Sequence, residues 1–218
     1  MLLRPGIAEY EQWFARPAAE VQADLESFAA LLLKWNAVQN LVSRETEKNL
    51  WQRHIVDSLQ VLPLLGHREG ASLNILDVGS GGGLPALPLA IALKGSAARF
   101  TLVEPTAKKV SFLRTVIREL SLPAKVHAGR IEEIDSRETL PVDVITSRAL
   151  AEVSGLCALI HRFFGARTVA ILHKGRDHAV ELAESRLAWD FNVVVTNSAT
   201  DDRGVLLRIS DLRPKSRV

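Results

Sequence analysis

Three closely spaced glycines are the first residues of this sequence that could do chemistry. Gly79, Gly81 and Gly83 follow the short apolar run Leu73 to Val78, which is typical of a strand buried on both faces of a parallel sheet. Such a loop lets a ligand approach the main chain closely. The dinucleotide fingerprint G-x-G-x-x-G has its third glycine one residue later, so the spacing favours adenosylmethionine over NAD. A glycine turn required only for steric reasons is the alternative.

An acidic residue ends the next predicted strand and is a candidate ligand of the same cofactor. The apolar run that starts at Arg99 closes on Glu104, about twenty residues after the glycine loop. A carboxylate at this place can accept hydrogen bonds from both ribose hydroxyls of an adenosine, so we expect Glu104 to bind the ribose. The alternative is a carboxylate that caps the helix after Pro105 and Thr106.

Two cations follow later strands at the same predicted edge of the sheet. Arg148 lies in a Ser-Arg-Ala sequence at the end of the fourth strand, and Lys174 follows the fifth. Ligands of open α/β sheets bind at the carboxyl ends of the strands, so both are candidates for positioning a substrate. For Arg148 the alternative is a salt bridge at a strand end. No residue is assigned as a catalytic base, and no metal site is predicted.

The helix after Glu104 has two different faces. Lys108, Lys109, Arg114 and Arg118 lie on its polar side, and apolar residues form the other side. The ordinary interpretation is a solvated helix surface. A basic helix beside a cofactor cleft also suits a polyanionic substrate.

Two amphipathic helices are predicted before the first strand. One spans residues 8–40, and the second runs from Thr46 until Pro63 stops it. On the second helix Arg53 and His54 stand three to four positions from Asp57, so each can reach that carboxylate. An intrahelical ion pair is one interpretation, and a helix that lies over the cofactor cleft is the other.

From residue 73 onward the chain alternates between strands and helices, which predicts an α/β fold with a mostly parallel, seven-stranded sheet. The predicted strands are 73–78, 99–104, 125–129, 142–147, 168–172, 191–196 and 205–210, and the last two form an antiparallel pair. We expect residues 1–66 to form a helical N-terminal cap, 67–212 the sheet domain, and 213–218 a disordered basic tail.

Composition narrows the class of protein. The 218 residues are 47% hydrophobic and carry a net charge of +2, which supports one α/β domain with an extension and leaves charge distribution to decide the partner. No apolar run approaches the roughly 20 residues of a membrane span, and no export signal is evident. We expect a soluble, cytoplasmic protein and a monomer. The single cysteine, Cys157, lies in an apolar helix and is expected to be a buried small hydrophobe.

Six short motifs run through the chain from residue 34 onward. They are K-W-N with N-L in 34–41, R-H-x-x-D-S in 53–58, D-x-G-x-G-x-G-L-P in 77–85, F-L-R in 112–114, S-R-A in 147–149 and L-x-K-G in 172–175. Together they resemble the bacterial RsmG (GidB) family of 16S ribosomal RNA guanine-N7 methyltransferases. The resemblance implies a Rossmann-like, class I adenosylmethionine-dependent methyltransferase fold that acts on the decoding-site loop of the small-subunit RNA.

The resemblance also implies roles for particular residues. Cofactor contacts are expected at Gly79, Leu84, Ile131, Glu132 and Arg148. Gly81 and Glu104 are expected from the loop geometry. With 16S ribosomal RNA or the small subunit as the partner, the candidates for RNA contact are Lys108, Lys109, Arg114, Arg130, Lys174 and His54. The chain departs from the family at Ala86, where glycine is usual, and at Gln39, where an aromatic residue is usual.

The chemistry of the target atom agrees with the absence of an assigned base. Guanine N7 carries a lone pair and no proton, so alignment with the methyl donor is the main requirement. Pyrimidine C5 methylation needs an activated cysteine, and amine methylation usually shows an Asn/Asp-Pro-Pro-aromatic run where this chain has residues 147–150, Ser-Arg-Ala-Leu. A small-molecule methyltransferase, an NAD enzyme and a non-catalytic ribosome-assembly factor are the alternatives.

Overall fold

A seven-stranded sheet organises the chain. The computed structural model describes residues 3–66, 72–136 and 141–215. The strands are β1 Leu73–Val78, β2 Ala98–Val103, β3 Ala124–His127, β4 Val144–Arg148, β5 Val169–Lys174, β6 Trp189–Asn197 and β7 Val205–Pro214. Their order across the sheet is β3-β2-β1-β4-β5-β7-β6. Strands β1 to β5 are parallel, and β7 is antiparallel to both β5 and β6, which confirms the predicted fold class.

The strand order places the candidate site. β1 pairs with β2 on one side and with β4 on the other, so the chain reverses its direction of travel across the sheet at β1. Crevices form outside the carboxyl ends of strands at such a switch point. The residues after β1, β2 and β4 therefore lie around one crevice.

Seven α-helices surround the sheet in the described part of the chain. They are α1 Ala18–Gln39, α2 Arg44–Glu47, α3 Asp57–Leu59, α4 Ala86–Ala92, α5 Ala107–Glu119, α6 Val153–Ile160 and α7 His178–Ser185. The predicted helix over 8–40 is interrupted between Trp13 and Ala18, because Pro17 fits the position before a helix better than its interior. It ends where predicted, at Asn40 with a φ of 49°.

The predicted second helix is wrong as a single element. It is divided into α2, a π-helical turn Trp51–Val56, and α3, followed by a 3₁₀ turn Leu62–Leu64. In the π-helical turn the Asp57 N–H donates to the carbonyl of Gln52, five residues earlier. This wider turn changes which side chains share a face.

Two hydrophobic clusters cover the two faces of the sheet. On one face α1, α4 and α5 pack on β1 and β2, with Phe28, Phe100 and Phe112 among the fully buried side chains. On the other face α6 packs on β1, β4 and β5, and the fully buried Cys157 belongs to this cluster as a small hydrophobe, as predicted. The N-terminal helices thus share a core with the sheet. The division of the chain at residues 66 and 212 stays a prediction.

The C-terminal end differs from the predicted disordered tail. Arg213 and Pro214 belong to β7, where they pair with Asp190 and Trp189 of β6, and the Lys215 N–H donates to the Ala188 carbonyl at 2.9 Å. The pairing with β6 extends the last strand beyond its predicted end at residue 210. Residues 216–218 lie outside the described residues.

Candidate active site

The glycine loop turns from β1 toward β2. The N–H groups of Gly79 and Ser80 both donate to the Val103 carbonyl, at 3.1 and 3.0 Å. Gly83 has a φ of 79°, and a Cβ added there would lie 2.2 Å from Leu87 Cδ1, so its role is steric. Gly81 differs, because the nearest atom to such a Cβ is 3.8 Å away. Its surroundings are open enough for a ligand to approach the main chain.

Glu104 joins this loop to the end of β2. Its Oε2 accepts the Gly81 N–H at 2.9 Å and its Oε1 accepts the Thr106 N–H at 2.8 Å, with 4% of the residue exposed. The second contact is the helix-capping alternative raised by the sequence. Each carboxylate oxygen has a further lone pair, so these bonds leave acceptor capacity for a hydroxyl. The ribose role of Glu104 stays a prediction.

Asp77 is a buried carboxylate beneath the loop that the sequence-based list of site residues missed. Its Oδ1 accepts the Thr146 hydroxyl at 2.6 Å, and its buried Oδ2 has no hydrogen-bond partner among the described residues. Burial raises the pKa of Asp77 to about 6, and the nearby Glu104 adds to the increase while hydrogen bonds oppose it. The sequence feature that could have identified Asp77 is its position in β1, two residues before the first glycine of the loop.

These features fit adenosylmethionine. An unpartnered, buried carboxylate oxygen has an electrostatic reason to sit near a cation, and this cofactor carries a sulfonium and an ammonium. The open main chain at Gly81 and the carboxylate of Glu104 supply polar groups for the nucleoside. No cluster of three or more His, Cys, Asp or Glu side chains suited to a metal ion lies within the described residues.

Arg148, at the end of β4, is bound by residues of the N-terminal helical segment. Its Nη1 lies 3.2 Å from Asp57 Oδ2. Its Nη2 donates to the Arg53 carbonyl at 3.1 Å and lies 3.0 Å from His54 Nδ1. Burial lowers the pKa of Arg148 and the Asp57 charge opposes that effect. The strand-end salt bridge considered as an alternative is therefore present.

The carboxylate of Asp57 is the centre of this network, which we call the Asp57 hub. Its Oδ1 accepts the Thr200 hydroxyl at 2.6 Å and the Gln60 amide at 3.0 Å. Its Oδ2 faces Arg148 and lies 3.6 Å from His173 Nε2. The hub thus connects the N-terminal segment to the ends of β4 and β5 and to the β6–β7 connection.

The surroundings of both histidines of the hub lower their pKa and so favour the neutral imidazole. Burial, with Arg148 adding to its effect, lowers the pKa of His54 to about 4. Because Arg148 only donates, His54 Nδ1 accepts, and Nε2 then donates to Thr46 Oγ1 at 2.9 Å. Burial also lowers the pKa of His173, whose Nε2 donates to the Asp57 carbonyl at 3.2 Å.

Of the two interpretations of this helix, the intrahelical ion pair does not describe the observed partners of Arg53 and His54. Arg53 pairs instead with Asp201 at 2.8 Å and donates to the Thr200 carbonyl at 3.1 Å, both in the β6–β7 connection. His54 is 4% exposed and its ring nitrogens face Thr46 and Arg148. The structure therefore gives His54 no surface for RNA, contrary to its predicted role.

Lys174 is also held within the protein. Its Nζ lies 2.5 Å from Glu181 Oε2 and donates to the Ala151 carbonyl at 2.9 Å, and its side chain is 10% exposed. An ion pair with α7 thus occupies the ammonium that was expected at the cleft mouth. Lys174 still lines, with Arg148 and His173, a cavity of about 250 Å³.

The other predicted residues lie around the crevice or on the surface. Lys108, Arg114, Arg130 and Glu132 are exposed, Lys109 is partly exposed, and Ile131 and Leu84 are buried. Lys108 and Lys109 lie in the first turn of α5, just after Glu104, whereas Arg114 lies further from the carboxyl edge. The main-chain carbonyls of Ile131 and Glu132 accept hydrogen bonds from Arg162.

Comparisons with known proteins identify the family of this chain. A family model described as GidB, rRNA small subunit methyltransferase G, matches residues 21–204. A ribosomal RNA small subunit methyltransferase G of Bartonella tribocorum is 44% identical over 196 residues, 89% of each chain. One from Cereibacter sphaeroides is 40% identical over 192 residues, 87% of this chain and 89% of its own.

Solved structures show the fold. A SAM-dependent methyltransferase from Aquifex aeolicus superposes with a TM-score of 0.57 at 15% identity, over 82% of this chain and 97% of that one. A TehB-like SAM-dependent methyltransferase from Corynebacterium glutamicum gives a TM-score of 0.53 at 18% identity, over 76% and 94% of the two chains. The chain therefore has the class I methyltransferase architecture.

The Asp57 hub predicts a large loss of stability on Asp57→Ala. The substitution leaves the mostly buried Arg148 without its counter-charge, so we expect the free energy of unfolding to fall by about 3 to 5 kcal/mol in urea titrations. The control is Asp190→Ala, which removes an exposed pair with Arg213 at 3.8 Å and should cost less than about 1 kcal/mol. Equal losses in the two variants would contradict a stabilising hub.

Asp77 predicts a distinctive pH dependence. Its folded pKa of about 6 exceeds the ordinary value of 3.8, so the folded state binds more protons between these values and Asp77 lowers stability as pH rises through this window. Without cofactor, we expect the difference in unfolding free energy between Asp77→Asn and wild type to grow by about 1 to 1.5 kcal/mol from pH 5 to pH 7, and to stay constant above. Because both proteins contain the same histidines, the difference between their unfolding free energies removes the contribution of histidines that titrate in the same pH range. A difference that does not change with pH would show that Asp77 keeps an ordinary pKa.

Proposed function

This chain belongs to the GidB family of rRNA small subunit methyltransferases G, and from that membership we propose that it methylates N7 of a guanine in the decoding-site loop of 16S ribosomal RNA. It is an adenosylmethionine-dependent methyltransferase. The observation that carries the proposal is the placement of Asp77, the glycine loop, Glu104 and Arg148 together at the ends of neighbouring strands.

Several residues would hold the cofactor. When bound, adenosylmethionine supplies a methyl group made electrophilic by its sulfonium. Glu104 accepts from the ribose, the main chain at Gly81 gives close approach, and Asp77 attracts the positive charge. Gly79, whose space on the Cβ side is filled by Leu150, is proposed to contact the cofactor through its other side. Ile131 and Glu132 are proposed to border the adenine. Leu84 is buried beside the loop and supports it by packing.

The protein's contribution to the chemistry is alignment. Guanine N7 attacks with its lone pair and has no proton to lose, so no general base is required, and positioning can supply roughly 7 to 11 kcal/mol of the barrier. A guanidinium has five N–H groups, and the described contacts of Arg148 leave some of them available to guanine O6 or a phosphate. The Asp57 hub holds Arg148 in place for this role.

The first turn of α5 is the proposed RNA contact nearest the crevice. Lys108 and Lys109 follow β2 by a few residues and so lie at the carboxyl edge, with Lys108 exposed. Arg114 and Arg130 extend the positive surface. Lysine and arginine contacts with phosphate are insensitive to sequence and depend on salt, so they would fix the position of a folded RNA.

The cellular location and the oligomeric state of the protein are proposed on the same basis. No helix among the described residues is long and apolar enough to span a membrane. The proposed rRNA substrate places the enzyme in the cytoplasm, and a monomer is proposed because the crevice is built from a single chain.

The direct test is methyl transfer from radiolabelled adenosylmethionine to naked 16S RNA and to small ribosomal subunits, with the labelled base identified by mass spectrometry. We expect label at guanine N7 on at least one of the two substrates. Label at another atom would overturn the N7 assignment. Cofactor binding without label on either substrate would favour a small-molecule methyltransferase or a non-catalytic binder.

The double variant Lys108→Glu and Lys109→Glu tests the RNA surface. We expect weaker binding to small-subunit RNA and a salt dependence reduced by about one to two units of slope, because up to two phosphate contacts are lost. Cofactor affinity measured by calorimetry should stay the same. The control, Arg99→Glu with Arg167→Glu, makes the same charge change at the amino ends of β2 and β5. An equal loss of RNA affinity in the control would indicate a general charge effect.

A further inference from the structure

The short connection between β4 and α6 turns sharply beside the glycine loop. Ala149 has a φ of 53°, in the left-handed region that L-residues with a Cβ rarely adopt. Strained backbone of this kind persists only where the surrounding structure enforces it, and it is concentrated at functional sites. The residue that this turn directs is Leu150.

Leu150 lies against the glycine loop. A Cβ added to Gly79 would lie 2.8 Å from Leu150 Cδ1 and 3.0 Å from Cδ2, so the leucine methyl groups occupy the space over this glycine. Leu150 therefore stands at the crevice between β1 and β4, two residues beyond Arg148. Both the cofactor loop and the candidate positioning arginine are its close neighbours.

The side chain is exposed even though it is apolar. Leu150 is 43% exposed, whereas most large apolar side chains of the described residues are buried in the two clusters. The other exposed large apolar residues of the described ranges are Leu33, Val38, Val180, Leu187, Val194 and Val195. None of these contacts a glycine of the cofactor loop in the way Leu150 does.

The turn is anchored on both sides of Leu150. On one side the Asp57 hub holds Arg148. On the other side Lys174 Nζ binds the Ala151 carbonyl, and Glu181 Oε2 accepts the Val153 N–H at 2.9 Å. The Lys174–Glu181 ion pair thus serves to fix this turn. An exposed side chain on such a rigid support is preorganised to meet a ligand.

We propose that Leu150 packs against one face of the target guanine when the base enters the crevice. The inference rests on the proposed function. An enzyme that modifies a base must take it out of the stack, and the extruded base is held by contacts on its faces and by hydrogen bonds at its edges. Leu150 supplies the apolar contact and Arg148 a polar one, and together they aim N7 at the methyl group.

The test compares Leu150→Ala with Leu150→Phe, using whichever substrate wild type methylates. We expect Leu150→Ala to lower kcat/KM for the RNA substrate by at least about tenfold while the dissociation constant of adenosylmethionine, from calorimetry, changes less than about twofold. Leu150→Phe keeps an apolar face and should stay within about threefold of wild type. The control is Leu187→Ala, an 83% exposed leucine after α7, which should leave both quantities unchanged.

Three outcomes would overturn the inference. In one, Leu150→Ala retains wild-type kcat/KM. In another, the dissociation constant of adenosylmethionine rises in parallel with the loss of activity, which would mean that Leu150 covers the cofactor. In the third, Leu150→Phe loses as much activity as Leu150→Ala while both unfold at the wild-type temperature. Wild type that labels no RNA would instead reject the proposed function itself.

Discussion

A single buried carboxylate, Asp57, determines how the N-terminal helices meet the sheet. Removing a charge from water is costly, and the cost is offset only when several well-placed donors surround it. Here Thr200 and Gln60 donate to that carboxylate, Arg148 forms an ion pair with it, and His173 donates to the main-chain carbonyl of the same residue. Arg148, His173 and Thr200 come from segments far from Asp57 in the chain, so their convergence requires the complete fold. The active-site edge of the sheet is consequently braced by the N-terminal segment rather than merely covered by it.

The two buried aspartates of this edge are treated in opposite ways. Asp57 is surrounded by donors and an arginine, whereas Asp77 has only the hydroxyls of Thr146 and Ser80 nearby and keeps one oxygen without a partner among the described residues. A protein selected only for stability would compensate both charges. The uncompensated carboxylate, Asp77, lies beneath the glycine loop, where a positively charged cofactor would supply the missing counter-charge. Asp57 thus contributes to stability and Asp77 to cofactor affinity, although both lie at the same edge of the sheet.

Local sequence patterns predicted the strands of the sheet, but they did not predict the contacts of the Asp57 hub. Buried parallel strands are apolar runs bounded by loops, which is why β1 was predicted with its observed bounds and why Glu104 and Arg148 were placed at strand ends. The partners of Arg53 and His54 were predicted from helical spacing, but the π-helical turn rotates the faces and the true partners lie up to 148 residues away. The partner of Lys174 was not predicted either, since Glu181 belongs to a helix whose packing no local pattern reveals.

The protonation states at this edge bear on which methyl transfer it can support. A nucleophile that must lose a proton needs a base with a free lone pair near the reacting atoms. His54 uses both ring nitrogens within the protein, and the carboxylates of Asp57 and Glu181 are tied to Arg148 and Lys174. Glu104 holds the loop. The unpartnered Oδ2 of Asp77 is the exception, but Asp77 is buried beneath the loop, where we propose that it faces the positive charge of the cofactor rather than the nucleophile. A site in which these described groups serve structure is suited to a nucleophile that arrives with its lone pair ready, as guanine N7 does. The contacts around these groups hold side chains in place, so their contribution to methyl transfer is rigid positioning rather than proton transfer.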